Sequence, residues 1–311
     1  MNADHKMTPG YAALTDAAGL VDLSARGRIR VTGEDRARLL HAMTTNHVQQ
    51  MQPGDGIYAF FLNAQGRIQA DAYILCFEDH FLLDTEPETR VSLYEHLDRF
   101  IIADDATLED ITDDTVCLSV EGPKTAEVAS AASLPAPNHR YAHVTEGGLT
   151  VAAIHGVRIY APIDRRDEVV RSLEAAGAIA ASPEDAEHAR IHAFRPRFGA
   201  DITESTLPQE TQQMHALHFQ KGCYLGQEIV ERIRSRGHVN KHLMGFRLEG
   251  HVVPAPGSGL FAGGKEVGEV TSAAAGLNDV SGLGYVRVPY NKPGGLVGID
   301  GRPAELFAPM A

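Results

Sequence analysis

The sequence predicts an α+β protein built on antiparallel sheets and followed by a small all-β domain. Three observations carry that prediction. Two apolar, β-prone runs flank the tight turn Asn63-Ala64-Gln65-Gly66, which makes a hairpin of them. Amphipathic segments with helical spacing lie between the strands of the first 240 residues. After about residue 241 that spacing disappears, and glycine-rich turns separate short strands.

Element by element, a strand over 27–31 leads into a short amphipathic helix over 34–44. Ile57 to Leu62, Arg67 to Phe77 and Phe81 to Asp84 read as an antiparallel meander. Pro87 to Phe100 places Val91, Leu93, Leu97 and Phe100 among charges, the pattern of a helix. Val116 to Val120 is a strand ending at Glu121-Gly122-Pro123, and the Pro- and Ala-rich 132–138 is a loop. Strands over 150–154 and 157–161 precede helices over 165–176 and 183–192, the second with Ser182 as N-cap. The C-terminal strands fall at 243–248, 259–261, 266–272, 282–288 and 298–299.

Composition narrows the class of protein. A hydrophobic fraction of 43% and a charged fraction of 22% belong to a globular chain with an ample core. There is no apolar run of membrane-spanning length, and Met1 to Met7 lacks the apolar centre of a secretory signal. Three cysteines without a CxxC pair fit a reducing compartment, so the expectation is a cytoplasmic protein without disulfides. A formal charge of −13 argues against direct nucleic-acid binding. Residues 221–247 run the other way, with six basic residues against two acidic ones, which suits a small anionic ligand or simply a solvated helix and loop. His215 and His218 have no carboxylate partner at ligand spacing, so no metal site is expected, and no glycine pattern supports ATP or NAD.

One stretch stands out for chemistry: Lys221-Gly222-Cys223-Tyr224-Leu225-Gly226-Gln227-Glu228. It sets a cysteine between glycines, just ahead of a helix that Gln227 and Glu228 open. A thiol near a helix N-terminus with Lys221 two residues away is in a setting that favours thiolate. Such a thiolate serves as nucleophile, as a single metal ligand or as a redox reporter; the same spacing also suits a cysteine buried in a glycine turn. Cys76 and Cys117 lie in strands and read as core.

This octapeptide, with the segment ending Arg236-Gly237-His238-Val239-Asn240-Lys241, resembles the signature of the YgfZ family. Those are tetrahydrofolate-binding proteins linked to iron–sulfur cluster assembly or repair, related to the aminomethyltransferase (T-protein) of the glycine cleavage system. Similar landmarks recur in order at Gly19–Ser24, Thr44-Thr45-Asn46, Pro53–Tyr58, Leu62–Ile68, Leu207–Glu210 and Val267–Ser272, so the resemblance covers nearly the whole chain. It implies an aminomethyltransferase-like cloverleaf. Residues 1–240 would form two interleaved subdomains, with roughly 55–140 making up one, and 241–311 would form a C-terminal β-barrel beside a central folate channel.

The resemblance also implies a folate-binding accessory protein for iron–sulfur enzymes, with client or assembly proteins as partners, rather than a conventional turnover enzyme. A folate-dependent aminomethyltransferase or other one-carbon transferase is the alternative, and a folate-linked tRNA-modification factor a further one. Cys223 would be the functional thiol, and Asp71 the remaining acid of a doublet that true aminomethyltransferases carry, since Ala70 takes the other place. Lys221, Gly222, Tyr224, Gly226, Gln227, Glu228, Arg236, Asn46 and His192 would bind tetrahydrofolate or a derivative. His192 and Phe194 stand where the family has glutamate and glycine, and a neutral imidazole accepts one hydrogen bond where a carboxylate accepts several.

Overall fold

The computed structural model describes residues 8–276 and 278–310. A five-stranded antiparallel sheet runs in the order Gly56–Leu62, Ile68–Cys76, Phe81–Thr85, Gly27–Thr32, Thr107–Asp110. A six-stranded sheet runs Ile179–Ala181, Gly19–Asp22, Thr115–Glu121, Val157–Pro162, Leu149–Ala152, His143–Glu146, with its first pair parallel and the rest antiparallel. Strands between Lys241 and Phe307 close into a six-stranded barrel. The fold is therefore the α+β arrangement of antiparallel sheets plus a C-terminal β-barrel that the sequence implied.

The chain starts in the six-stranded sheet, crosses to the five-stranded sheet after Asp22 and returns at Thr115. The expected segment 55–140 does not coincide with either sheet. Gly27–Thr32 belongs with the hairpin, whereas Thr115–Glu121 pairs in the other sheet.

Each sheet has a helical side and a shared side. Apolar residues of the five-stranded sheet pack with Leu39, Leu40 and Met43 of the helix Arg36–Met43 and with Leu93 and Leu97 of Arg90–Asp98. On the opposite face Tyr58, Phe60, Tyr73 and Leu75 meet Cys117, Ala152, Ile154 and Tyr160 of the second sheet's side of the molecule. The six-stranded sheet's far side buries Val128, Val169 and Leu173 from two further helices.

A register shift decides which face carries polar groups. Phe61 pairs with Ala70 and Leu62 with Ile68, so Gln69 is an extra residue on its strand. Beyond it, Ala70, Ala72, Ile74 and Cys76 face the helices. Alternation then turns Asp71, Tyr73 and Leu75 toward the second sheet. Ser182 caps Pro183–His192 as expected, in a reciprocal pair with Asp185; such caps contribute about 1 kcal/mol. Residues 87–100 form a 3-10 turn, Pro87–Thr89, leading into Arg90–Asp98.

Candidate functional site

The shared side of the two sheets carries the polar centre. Tyr58 stands opposite Tyr73, and Phe60 opposite Asp71, so the Tyr58 side chain reaches Asp71 along the diagonal. Its hydroxyl donates to Asp71 Oδ2 at 2.6 Å. Asp71 is 5% exposed, and its Oδ1 has no partner. Burial, reinforced by the nearby Glu86 carboxylate, pushes the Asp71 carboxyl up to about 7, against the Tyr58 hydrogen bond and the Arg26 charge.

Tyr58 is also a wall of a narrow cavity, with Tyr73, Tyr141, His215, Arg140 and Arg195 among its lining. Four rings form a closed circuit: Tyr58–Tyr73 at 5.2 Å, Tyr73–Tyr141 at 5.6 Å, Tyr141–His215 at 6.2 Å and His215–Tyr58 at 5.4 Å between centroids. Arg140 lies over the Tyr141 ring at 4.6 Å, and among the described residues it forms no ion pair. The cavity itself holds only about 20 Å³. Tyr73, His155, Arg195 and Pro196 also line an adjoining cavity of about 320 Å³, which lies in the size range of small-molecule sites. His155 joins the two walls, its Nε2 at 2.6 Å from the Tyr73 hydroxyl.

Behind this wall lies a buried charge network that the sequence reading missed. Asp84 accepts from Arg158 Nη1 at 2.8 Å and from the Tyr160 hydroxyl at 2.5 Å, and pairs with Arg26 Nε. It ties the strand Phe81–Thr85 of one sheet to Val157–Pro162 of the other. Both arginines hold the Asp84 carboxyl down at about 2, overcoming its burial. The Arg158 guanidinium lies 4.9 Å from the Tyr73 ring centroid, so the network also backs the aromatic wall. No local motif announced it; Arg26, Asp84 and the Arg158/Tyr160 strand come from three separate parts of the chain.

The octapeptide residues do not line these two cavities. Cys223 is exposed, while Cys76 and Cys117 are buried as expected of core residues. Lys221 is buried and turns away from the solvent, its Nζ donating to the carbonyls of His41 and Thr44, the latter at 2.5 Å. These carbonyls lie at the C-terminal end of Arg36–Met43, where a cation is favoured. Burial lowers the Lys221 ammonium to about 7. The lysine thus clamps the end of that helix. Gly222 takes φ +95°, and Gly226 takes φ +81° as the residue before the helix Gln227–Arg236. A Cβ on Gly226 would stand 2.5 Å from the Asn63 carbonyl oxygen, so the octapeptide is fitted against the hairpin turn.

The other octapeptide side chains mostly serve the loop. Tyr224 packs beneath Lys221 Nζ at 4.6 Å, and Gln227 Oε1 accepts from the Tyr224 amide at 3.0 Å. Glu228 is exposed and pairs with Arg232 at 2.9 Å. None of them lines the cavities above. The Arg236 side chain lies outside the described residues. Asn46 does reach the polar centre, though as a positioning group. Its Nδ2 donates to the Tyr58 and His215 carbonyls, both at 3.0 Å, and its Oδ1 accepts from the His47 amide. His192 is not brought to this centre; it faces the Tyr11 hydroxyl in a separate cavity with Asp16, Arg247 and Asp279. Among the described residues no cluster of His, Cys, Asp and Glu is placed to hold a metal ion, and no helix is long and apolar enough to cross a membrane.

Comparison with known proteins agrees with this architecture. The GCVT N-terminal domain family matches residues 3–221, and the glycine cleavage T-protein C-terminal barrel domain matches residues 241–308. The chain is 29% identical to "Putative transferase At1g60990, chloroplastic" of Arabidopsis thaliana over 88% of its own length, and spans 66% of that relative. It is 27% identical to an aminomethyltransferase of Rubrobacter xylanophilus, over 92% of this chain and 80% of the relative. In structure it is similar to the glycine cleavage system aminomethyltransferase T of Bartonella henselae, with a TM-score of 0.85 and 19% identity, over 96% of this chain and 87% of that one; at that identity the likeness is one of fold. The relatives correct one expectation. The sequence reading set this chain apart from turnover enzymes, yet the proteins matching nine tenths of it are named aminomethyltransferases.

Proposed function

The chain belongs to the glycine cleavage T-protein family, and from that premise we propose that it is a folate-dependent aminomethyltransferase or a closely related one-carbon transferase. The observation that carries the reading is Tyr58, a residue lining an aromatic cavity whose hydroxyl is bonded to the buried Asp71 carboxyl.

The residues present fit a folate. An aromatic lining suits a flat heterocycle, and Tyr58, Tyr73, Tyr141 and His215 line the narrow cavity. Arg140 supplies a cationic donor at the narrow cavity, whereas Arg195 is already paired with Glu121 at 2.9 Å. The narrow cavity admits only the edge of a ligand, and the adjoining one provides the remaining space. When bound, a reduced folate supplies the nitrogens that accept a one-carbon unit.

The chain's own contribution is proton handling in a dry site. The Tyr58 oxygen faces the ligand and accepts from, or donates to, a nitrogen against the wall. Burial, reinforced by the Asp71 charge, holds the Tyr58 phenol well above its ordinary value, so it stays protonated, and Asp71, with its pKa near 7, supplies or receives a proton only in concert with the exchange between Tyr58 and the ligand. Asn46 fixes the backbone of Tyr58 and His215, and the Asp84 network holds the wall behind them. Incubation with tetrahydrofolate and an aminomethylated lipoyl carrier tests this function: methylene-tetrahydrofolate and ammonia are expected, and folate binding without either product contradicts it.

A second role is supported by Cys223. Its thiol is exposed on a glycine loop, which suits a part in iron–sulfur protein assembly alongside transfer. One thiolate is a fraction of the about four ligands a cluster takes, so partner thiols would complete the set. Full rescue of cluster-enzyme activity in a deletion strain by Cys223→Ser would remove this role.

A further inference from the structure

Buried polar atoms are nearly always paired, so an orphan on a cavity wall points to a missing partner. His215 Nδ1 is such an atom. The His215 ring lies nearly parallel to Tyr58 and to Tyr141, with interplanar angles of 26° and 28°. Its carbonyl is held by Asn46 Nδ2 at 3.0 Å, which fixes the residue on the loop before the octapeptide. It lines the same cavity as Tyr58. A stacking role alone would be served by an all-carbon ring, with no buried nitrogen to desolvate.

We propose that His215 is a specificity-determining residue of this cavity, whose Nδ1 forms a direct hydrogen bond to the polar edge of a flat nitrogen heterocycle. The inference rests on the folate reading and deepens it: the heterocyclic end of the ligand lies against Tyr58 and His215, and the remainder extends into the adjoining cavity. Burial holds the imidazole neutral, with a pKa near 4, so it offers one donor and one acceptor at physiological pH. A site built to pair with a ligand polar group discriminates strongly against a ligand that leaves it unpaired.

Calorimetric titration of tetrahydrofolate into the full chain tests the proposal with two substitutions. His215→Phe keeps a stacking ring and removes the nitrogen; about a tenfold loss of affinity is expected, with the thermal midpoint nearly unchanged. His215→Asn restores a polar atom near the Nδ1 position and is expected to bind within a few-fold of wild type. Equal affinity of His215→Phe and wild type overturns the inference while leaving the folate reading intact. So does a His215→Asn variant as weak as His215→Phe, because the ring and not the nitrogen would then carry the effect. Absence of tetrahydrofolate binding by wild type sinks the folate reading and this inference together.

Discussion

Tyr58 and Asp71 share a 2.6 Å hydrogen bond between a cavity-wall phenol and a carboxyl buried behind it. The carboxyl titrates near 7 rather than in the ordinary carboxylate range. Its folded pKa is raised, so it contributes stability below the unfolded value near 4, and loses it as pH rises through 7, at about 1.4 kcal/mol per unit. Asp71→Asn removes that dependence. Denaturant melts at pH 5 and pH 8 should show wild type losing more stability than Asp71→Asn over this interval.

Asp84 titrates in the opposite sense. Arg26 and Arg158 depress its pKa to about 2, so its stabilisation is present above the unfolded value and is lost as pH falls from about 4 toward 2. Asp84→Ala leaves the buried Arg158 guanidinium without its carboxylate and Arg26 with Glu86 alone, and should cost about 3–5 kcal/mol in chemical denaturation. A cost under 1 kcal/mol would show that the two sheets are not pinned there.

Lys221 and Cys223 are two residues apart and should behave as opposites. Lys221→Met strips the His41 and Thr44 carbonyls of their donor in a buried place, at a cost of about 1–3 kcal/mol. Cys223→Ser touches an exposed side chain and should stay within about 0.5 kcal/mol of wild type. Urea midpoints of the two variants check both statements.

Gly226 combines φ +81° with a carbonyl 2.5 Å from where a Cβ would stand. Gly222 has φ +95° but open space around it. Gly226→Ala should therefore lose more than the about 1–2 kcal/mol that the left-handed conformation alone costs, and Gly222→Ala about that amount. Comparable losses for both would mean that the hairpin turn yields to the octapeptide.

Much of the fold was legible because its signals are local. The Asn63–Gly66 turn fixed a hairpin, helical spacing marked residues 36–43 and 166–175, and glycine-separated strands announced the barrel. The site was legible only in part. Asp71 and Asn46 were singled out through the resemblance, but that Asp71 bonds to Tyr58 depends on the Gln69 bulge turning one strand face over. Lys221 carried the strongest motif and proved to be a buried clamp, because the helix end that receives it lies 180 residues away in sequence. Tyr58, His215 and the Asp84 network have no short-range signature at all. A tyrosine followed by apolar residues reads as core until the partner sheet supplies its cavity.

The most direct test of the Tyr58–Asp71 pair is the pH profile of methylene-tetrahydrofolate formation by wild type and Tyr58→Phe under saturating substrates. Removing a proton-handling group typically costs about a hundredfold or more, so Tyr58→Phe should fall by that factor and lose the inflection near pH 7 that wild type shows. A Tyr58→Phe enzyme with the wild-type rate and the same inflection would contradict the account.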